Sequence, residues 1–176
     1  TLEFNISPID QIKNAFSALK SYNFQLVITA PNIEVDRTQI IAYLQQETSQ
    51  NRSYHYIESL GVVQYHSLIP YCKFVIGNSS SGILEIPYFK IPTVNIGDRQ
   101  QGRIRHKSII DTDYSVESIS SGIAKALSSD FLKSIQDMKY KFGTGNAAKK
   151  MVEIIRNIKM DSKLLRKQLD FPENEE

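Results

Sequence analysis

Hydrophobic and polar residues follow two alternating patterns along this chain. Short apolar runs rich in branched residues are typical of strands that are covered on both faces. The longer stretches between them carry apolar residues at three- and four-residue spacing, which predicts helices with one buried face. The predicted strands are 24–30, 54–57, 73–77, 92–96 and 108–111. The predicted helices are 8–21, 35–46, 63–71, 82–89, 116–128, 130–141 and 147–158.

This alternation of strands and helices predicts the fold class. Strands linked by helices run parallel, because each helix carries the chain back to the end of the sheet at which the previous strand began. Such crossovers are right-handed. We therefore predict an α/β fold, a Rossmann-like three-layer α/β/α sandwich with a mostly parallel sheet. Residues 1–159 form the predicted domain, and the charged residues 160–176 form a C-terminal tail. The chain begins at Thr1 rather than at a methionine, so we expect it to be a piece of a longer protein.

The first predicted helix has a clear start signal. Ser7 is a favoured capping residue, Pro8 fits the first helical position, and Asp10 suits the positive end of the helix. The helix is therefore predicted to begin at Pro8.

Charge and composition exclude several classes of protein. The chain has 21 basic and 19 acidic residues, and its net charge of +2 gives no electrostatic footprint for nucleic acid. Its longest apolar runs are too short to span a bilayer, and no basic-then-apolar signal segment opens it. The single cysteine, Cys72, cannot form an internal disulfide, which fits a reducing compartment. We expect a cytoplasmic protein that binds neither nucleic acid nor membrane.

A polar turn follows the predicted strand that ends at Gly77. The turn contains Ser79, Ser80 and Ser81 and is followed by Gly82, where a helix is predicted to begin. One reading is a plain helix cap, since serine is a favoured capping residue and one hydroxyl is enough. Three consecutive hydroxyls between glycines favour the other reading, in which unpaired N–H groups of a helix N-terminus hold an anion such as phosphate.

Glu85 lies one helical turn beyond these serines. A carboxylate aimed at a phosphate would repel it, so its useful role is to accept hydrogen bonds from ribose hydroxyls, as an acidic residue does in dinucleotide sites. The alternative is a glutamate that is favoured near the positive end of a helix.

The polar loop 97–107 follows the predicted strand 92–96 and contains several basic residues. In parallel α/β sheets ligands bind outside the carboxyl ends of the strands, so we expect at least one arginine to face a cleft there. An arginine can bond two oxygens of a diphosphate at once. The alternative is an ordinary solvated basic loop. Its basic residues are Arg99, Arg103, Arg105, His106 and Lys107.

Catalytic and metal-binding residues are not evident in the chain. His55 and His66 are interpreted as surface or core-edge residues, and no spacing of His, Cys, Asp and Glu matches a metal site. The serines of the turn have no neighbouring histidine in sequence, and Cys72 is interpreted as an inert residue before a buried strand.

Two longer stretches resemble a known family. GNSSSGILEIP at 77–87 and PTVNIGDRQQGR at 92–103 closely resemble the signature of UDP-N-acetylglucosamine 2-epimerases, specifically the hydrolysing branch. The resemblance extends more weakly from Thr1 through 143–146, nearly the whole chain. The NSSSG form at 78–82 is more similar to the hydrolysing branch than to the non-hydrolysing one.

The resemblance implies half of a two-lobed enzyme. Family members have two Rossmann-like lobes in the GT-B arrangement with the active site between them, and this chain resembles the C-terminal lobe. The catalytic histidine and carboxylates are then expected on a missing upstream segment. The implied substrate-binding residues are Ser79, Ser80, Ser81 and Gly82 at the phosphates, Glu85 at the ribose, Tyr65 beside the uracil, and Arg99 and Arg103 toward the cleft.

The resemblance also implies a reaction. The family eliminates UDP from the sugar to give 2-acetamidoglucal and then adds water to give N-acetylmannosamine, with no metal or other cofactor. The implied partners are a UDP-sugar substrate, the missing N-terminal lobe, and a second copy of the full-length protein. The alternatives are the nucleotide lobe of a UDP-sugar glycosyltransferase and a non-catalytic nucleotide-sensing module.

Overall fold

The strands and helices alternate along the chain, and we describe them for residues 6–31 and 36–166 of a computed structural model. The strands are β1 Leu26–Thr29, β2 Tyr54–Ile57, β3 Val75–Gly77, β4 Thr93–Ile96 and β5 Ile109–Thr112. The helices are α1 Pro8–Leu19, α2 Arg37–Gln50, α3 Gly61–Leu68, α4 Ser80–Leu84, α5 Val116–Leu127, α6 Ser129–Gln136, α7 Ala147–Asn157 and α8 Ser162–Leu165, with 3₁₀ turns at Ile69–Tyr71 and Ile86–Phe89.

All of these strands pair in parallel. β1 pairs with β2, and β4 lies between β3 and β5. Gly77 of β3 is opposite Asn95 of β4, which in turn is opposite Asp111 of β5. The carboxyl ends of these three strands therefore meet at one edge of the sheet. The predicted α/β class, a Rossmann-like three-layer sandwich, is confirmed.

The main core lies around β4. Every residue of β4 is buried, as expected for a parallel strand that is covered on both faces. Helices α1 and α5 supply the apolar side chains that cover it, at the helical spacing seen in the sequence. The buried members of this cluster are Ala18, Leu19, Val94, Ile96, Ile110, Ile119, Ile123 and Ala126.

A second, smaller cluster lies beside the β1–β2 pair. Phe16 of α1 contacts Tyr43 and Tyr54 edge to face, and Ile40 and Leu44 of α2 complete the cluster. Edge-to-face contacts of this kind are the favoured geometry for aromatic pairs. Helix α1 therefore contributes to both clusters, since Phe16 belongs to this one and Ala18 and Leu19 belong to the main one.

The start of α1 agrees with the sequence prediction. The helix begins at Pro8, and the Ser7 hydroxyl accepts a hydrogen bond from the Asp10 amide at 3.2 Å. The predicted start of the second helix, at 35, lies outside the described residues, and α2 continues to Gln50.

Three predicted helices are shorter than expected. The helix predicted at 130–141 ends at Gln136, and in the other two a proline explains the difference. The α-helical part of the predicted helix 63–71 ends at Leu68 before Pro70, and that of the predicted helix 82–89 ends at Leu84 before Pro87. Proline lacks the N–H that an α-helix needs and disfavours helical backbone at the residue before it. Both segments continue as 3₁₀ turns instead.

The chain divides into two units, Thr1–Lys141 and Phe142–Glu176. The first contains β1 to β5, and the second contains α7 and α8. The predicted boundary between a domain at 1–159 and a tail at 160–176 stays a prediction. Across residues 6–31 and 36–166, no helix has both the length and the apolar character needed to cross a membrane.

Candidate functional site

The polar turn after β3 begins helix α4. Gly77 ends the strand at a φ of 137°, a conformation that glycine adopts far more readily than other residues. Ser79 has extended backbone, and its hydroxyl accepts a hydrogen bond from the Ser81 amide at 3.3 Å. The capping reading of the turn is therefore correct for Ser79. Ser80 and Ser81 are not needed for this cap.

Gly82 brings α4 directly against β4. Its carbonyl accepts a hydrogen bond from the Thr93 hydroxyl at 2.9 Å. A Cβ atom at this position would lie 2.7 Å from the Thr93 methyl carbon, closer than such atoms can approach. Because Gly82 has no side chain, the start of α4 can lie this close to β4.

Helix α3 contacts one face of α4 through two consecutive residues. The Tyr65 hydroxyl lies 2.7 Å from the Ser81 hydroxyl, and the His66 Nε2 lies 2.7 Å from Oε2 of Glu85. Glu85 directly follows α4 and its amide bonds the Ser81 carbonyl, so the two side chains, four residues apart, lie on the same side of the helix. Burial raises the pKa of the Tyr65 hydroxyl, and its hydrogen bond with Ser81 opposes part of that rise. Tyr65 is therefore a neutral phenol near pH 7.

The loop after β4 is joined to the same turn. The Gln100 side chain, only 2% exposed, donates a hydrogen bond from Nε2 to the Asn78 carbonyl at 2.8 Å. Arg99, an exposed residue, donates to the same carbonyl from Nη1 of its guanidinium at 3.1 Å. The structure thus places Arg99 beside the serine turn. It does not do so for Arg103, which is exposed in the same loop and makes no side-chain hydrogen bond or ion pair to the described residues.

The far end of this loop is packed into the protein. Arg105 forms an ion pair with Asp111 at 3.2 Å, and the Asp111 carboxylate also accepts from the Asn95 side chain at 2.8 Å. His106 is 3% exposed, and its Nε2 accepts a hydrogen bond from the Lys141 amide at 2.9 Å. The reading of the whole loop as a solvated basic loop is therefore wrong for Arg105 and His106.

The remaining candidates for chemistry are the cysteine and the possible metal ligands. Cys72 is half-buried, burial raises the pKa of its thiol, and its sulfur donates weakly to the Leu68 carbonyl at 3.6 Å. A raised pKa leaves less of the reactive thiolate, which agrees with an inert cysteine. Over the part of the chain that the structure describes, no three His, Cys, Asp or Glu residues come together as a metal site would require.

Two residues at this site are missed by the sequence interpretation. It assigns His66 to the surface or the core edge, and it treats Gln100 only as a polar loop residue. Neither has a local sequence signal, because each contacts a residue that is distant in the chain: His66 contacts Glu85, and Gln100 contacts Asn78. The adjacent ends of β3 and β4 bring Gln100 to Asn78, and the packing of α3 against α4 brings His66 to Glu85.

The fold and the position of the polar turn define the class of protein, and a family comparison defines its family. It is a Rossmann-like α/β protein whose polar turn and basic loop lie together at the carboxyl edge of adjacent parallel strands, where such folds bind ligands. The chain belongs to the UDP-N-acetylglucosamine 2-epimerase family, whose model matches residues 3–156. The resemblance seen in the sequence is confirmed.

Curated relatives include 2-epimerases and a polysialic acid biosynthesis protein. The chain is 31% identical to the polysialic acid biosynthesis protein P7 of Escherichia coli, covering 94% of this chain and 42% of that protein. It is also 31% identical to the GDP/UDP-N,N'-diacetylbacillosamine 2-epimerase (hydrolyzing) of Campylobacter jejuni, with coverages of 94% and 41%. A UDP-N-acetylglucosamine 2-epimerase of Neisseria meningitidis is 33% identical over 115 residues, covering 64% of this chain and 29% of that protein. The chain thus spans well under half the length of these relatives.

Proposed function

We propose that this chain is the UDP-binding lobe of a hydrolysing UDP-N-acetylhexosamine 2-epimerase with two lobes in the GT-B arrangement. The observation that carries the proposal is the gathering of Ser81, Glu85, Tyr65 and Arg99 around one turn at the carboxyl edge of β3 and β4. Membership of the epimerase family supports the reaction class, and the hydrolyzing relative from Campylobacter jejuni supports the release of free sugar.

Each group at the turn has a role that its chemistry suits. Ser80 and Ser81 supply hydroxyls to the phosphates, and Arg99 supplies a planar cation that can bond two diphosphate oxygens. Glu85 accepts hydrogen bonds from the ribose hydroxyls. Tyr65 offers an aromatic ring to the uracil, and its hydroxyl already has a partner in Ser81.

The proposed reaction assigns this lobe a role in leaving-group stabilisation. A proton leaves C2 of the sugar and the bond between C1 and the diphosphate oxygen breaks, giving UDP and 2-acetamidoglucal. Water then adds to the glucal to give N-acetylmannosamine or the corresponding sugar. Donors placed around the diphosphate favour the negative charge that develops on departing UDP. The residues that move protons belong to the upstream lobe, so this lobe alone is expected to bind UDP and to turn over nothing.

The wider assignments stay predictions. We also propose that the full-length protein associates with a second copy and lies in the cytoplasm. The proposed substrate is UDP-N-acetylglucosamine or a 2,4-diacetamido counterpart, since the relatives include epimerases named for each.

The first experiment tests the binding site in the full-length protein by calorimetric titration with UDP. Glu85→Ala and Ser80→Ala should each lower the affinity for UDP by about tenfold, as expected for a lost hydrogen bond to a charged group. Asp130→Ala and Ser129→Ala are matched controls, because both residues are exposed at the start of α6, and they should leave the affinity unchanged. Unchanged affinity in both site variants would show that the site is assigned wrongly.

The second experiment tests the reaction. The full-length protein is incubated with UDP-N-acetylglucosamine, and separately with a UDP-2,4-diacetamido sugar, in water without any acceptor. Release of UDP and a 2-epimerised free sugar supports the epimerase. An absolute requirement for an acceptor would support the glycosyltransferase, and tight binding of UDP without turnover would support the nucleotide-sensing module.

A further inference from the structure

The carboxylate of Glu85 is held by a neighbour on another helix. Its Oε2 lies 2.7 Å from Nε2 of His66, whereas Oε1 makes no hydrogen bond to the described residues. A carboxylate can only accept, so Nε2 carries the proton and donates it. One oxygen of Glu85 is therefore occupied by the protein, and the other is left for a second donor.

The imidazole that makes this bond is itself restrained. The His66 ring centroid is 6.0 Å from that of Phe89 and 5.8 Å from that of Tyr65. Two aromatic neighbours limit the rotamers that the histidine can adopt. The ring contacts therefore favour the orientation in which Nε2 faces Glu85 before any ligand arrives.

The pair is open to solvent, so its contribution to folding is small. The side chains of His66 and Glu85 are 41% and 43% exposed, and polar pairs that are this exposed add little to stability. Orientation of the glutamate is the larger effect, because a glutamate without a partner moves among several rotamers and loses that freedom when a ligand binds.

We propose that His66 is a positioning residue for nucleotide binding: it holds Oε2 of Glu85 so that Oε1 faces the ribose hydroxyls of the bound nucleoside diphosphate. This inference rests on the proposed function, since it takes Glu85 as the ribose ligand. It adds a residue of α3 that reaches the ligand only through the glutamate. Tyr65 and His66, adjacent on α3, then fix Ser81 and Glu85 in turn.

The test compares two ligands and three variants of the full-length protein by calorimetry. The ligands are UDP and 2′,3′-dideoxyuridine diphosphate, which lacks both ribose hydroxyls. His66→Leu removes the donor, His66→Gln places an amide N–H near the former Nε2 position, and Glu85→Ala removes the ribose acceptor. His55→Leu is the matched control, because His55 is exposed and its Nε2 lies 2.9 Å from the Gln25 side-chain oxygen, away from the serine turn in sequence and on a different strand pair.

The inference predicts a loss that depends on the ribose hydroxyls. His66→Leu should weaken UDP binding by about five- to tenfold, the scale of one net hydrogen bond, while binding of the dideoxy ligand changes by less than about twofold. His66→Gln should restore most of the affinity for UDP, and His55→Leu should change neither ligand.

The two possible failures are distinguishable. If Glu85→Ala weakens both ligands equally or neither, the ribose role of Glu85 in the proposed function is wrong. If Glu85→Ala weakens UDP selectively but His66→Leu leaves UDP binding unchanged or weakens both ligands equally, the positioning role of His66 is overturned while the proposed function stands. Failure of His66→Gln to bind UDP better than His66→Leu also overturns it.

Discussion

The hydroxyl of Tyr65 and the hydroxyl of Ser81 form a 2.7 Å hydrogen bond between helix α3 and helix α4. This bond gives the half-buried phenol a partner, as a buried tyrosine requires. It also joins the ring proposed to lie beside the uracil to a serine proposed to lie at the phosphates. The residue proposed to contact the base and a residue proposed to contact the phosphates are therefore hydrogen-bonded to each other.

Two replacements of Tyr65 should distinguish the contribution of its ring to UDP binding from that of its hydroxyl. Tyr65→Phe keeps the ring and should change the affinity for UDP by less than about threefold, while the lost hydrogen bond lowers the free energy of unfolding by about 1 kcal/mol. Tyr65→Ala removes the ring and should weaken UDP binding by about ten- to a hundredfold, the scale of base stacking on an aromatic side chain.

The control for this pair is Tyr71, which is 86% exposed. Calorimetric titration with UDP should give unchanged affinity for Tyr71→Phe and Tyr71→Ala. Equal losses of affinity in Tyr65→Phe and Tyr65→Ala would contradict the assignment of the ring to the base.

Gly82 and Thr93 should be energetically coupled. Gly82→Ala places a Cβ atom 2.7 Å from the Thr93 methyl carbon and should lower the free energy of unfolding by about 1–3 kcal/mol, as overpacking does. Thr93→Ser removes that methyl group but keeps the hydroxyl that bonds the Gly82 carbonyl. The double variant should therefore be more stable than the sum of the single effects predicts, by about 1 kcal/mol.

Thr112 provides a control for this comparison of single and double variants. Thr112 lies on β5, and its methyl carbon is close to Gly122 rather than to Gly82. Denaturant unfolding of Gly82→Ala with Thr112→Ser should give additive losses. Additive losses with Thr93→Ser as well would mean that the close contact does not limit the size of residue 82.

Gln100 should be required for the position of the serine turn. Its buried amide holds the Asn78 carbonyl, and Gln100→Leu keeps the approximate shape while removing that donor. We expect roughly tenfold weaker binding of UDP, because the Asn78 carbonyl loses its buried hydrogen bond to the loop after β4 and keeps the one from the exposed Arg99. Gln101→Leu is the matched control, since Gln101 is the exposed neighbour, and titration should show no change for it.

The fold could be predicted from the sequence because its signals are local. Branched apolar runs and helical spacing are read within each segment, and Ser7 with Pro8 marks the start of α1 directly. The helix ends near Pro70 and Pro87 were missed because apolar spacing continued through each proline, although the missing N–H ends the α-helix there.

The site could be predicted only in part. The serine turn and Arg99 follow strand ends, so the rule for parallel sheets is enough to predict that they lie at the same edge. His106 could not be placed this way. It follows basic residues in a polar loop, yet it is buried because the segment that ends at Lys141 folds over it and Tyr140 stacks on its ring at 5.2 Å.

The buried His106 should make stability depend on pH. Burial lowers the pKa of His106 below its usual value, the charge of Lys141 lowers it further, and a backbone hydrogen bond with Ile83 opposes the shift. Between the lowered folded pKa and the unfolded value of about 6.5, the unfolded state binds more protons, so stability rises with pH in that window. His106 therefore contributes stability above about pH 6.5 that is lost as the pH falls toward its folded pKa.

His106→Gln should remove this dependence, because the amide oxygen of glutamine can accept the Lys141 N–H and does not titrate. The measurement is the urea midpoint at pH 7.5, 6.5 and 5.5, values chosen to span the usual pKa of histidine at about 6.5. The wild type should lose stability over this range at up to about 1.4 kcal/mol per pH unit, and His106→Gln should lose less. His55→Gln, which changes an exposed histidine, should keep the wild-type slope. An equal slope in His106→Gln and the wild type would show that the protein does not hold His106 neutral.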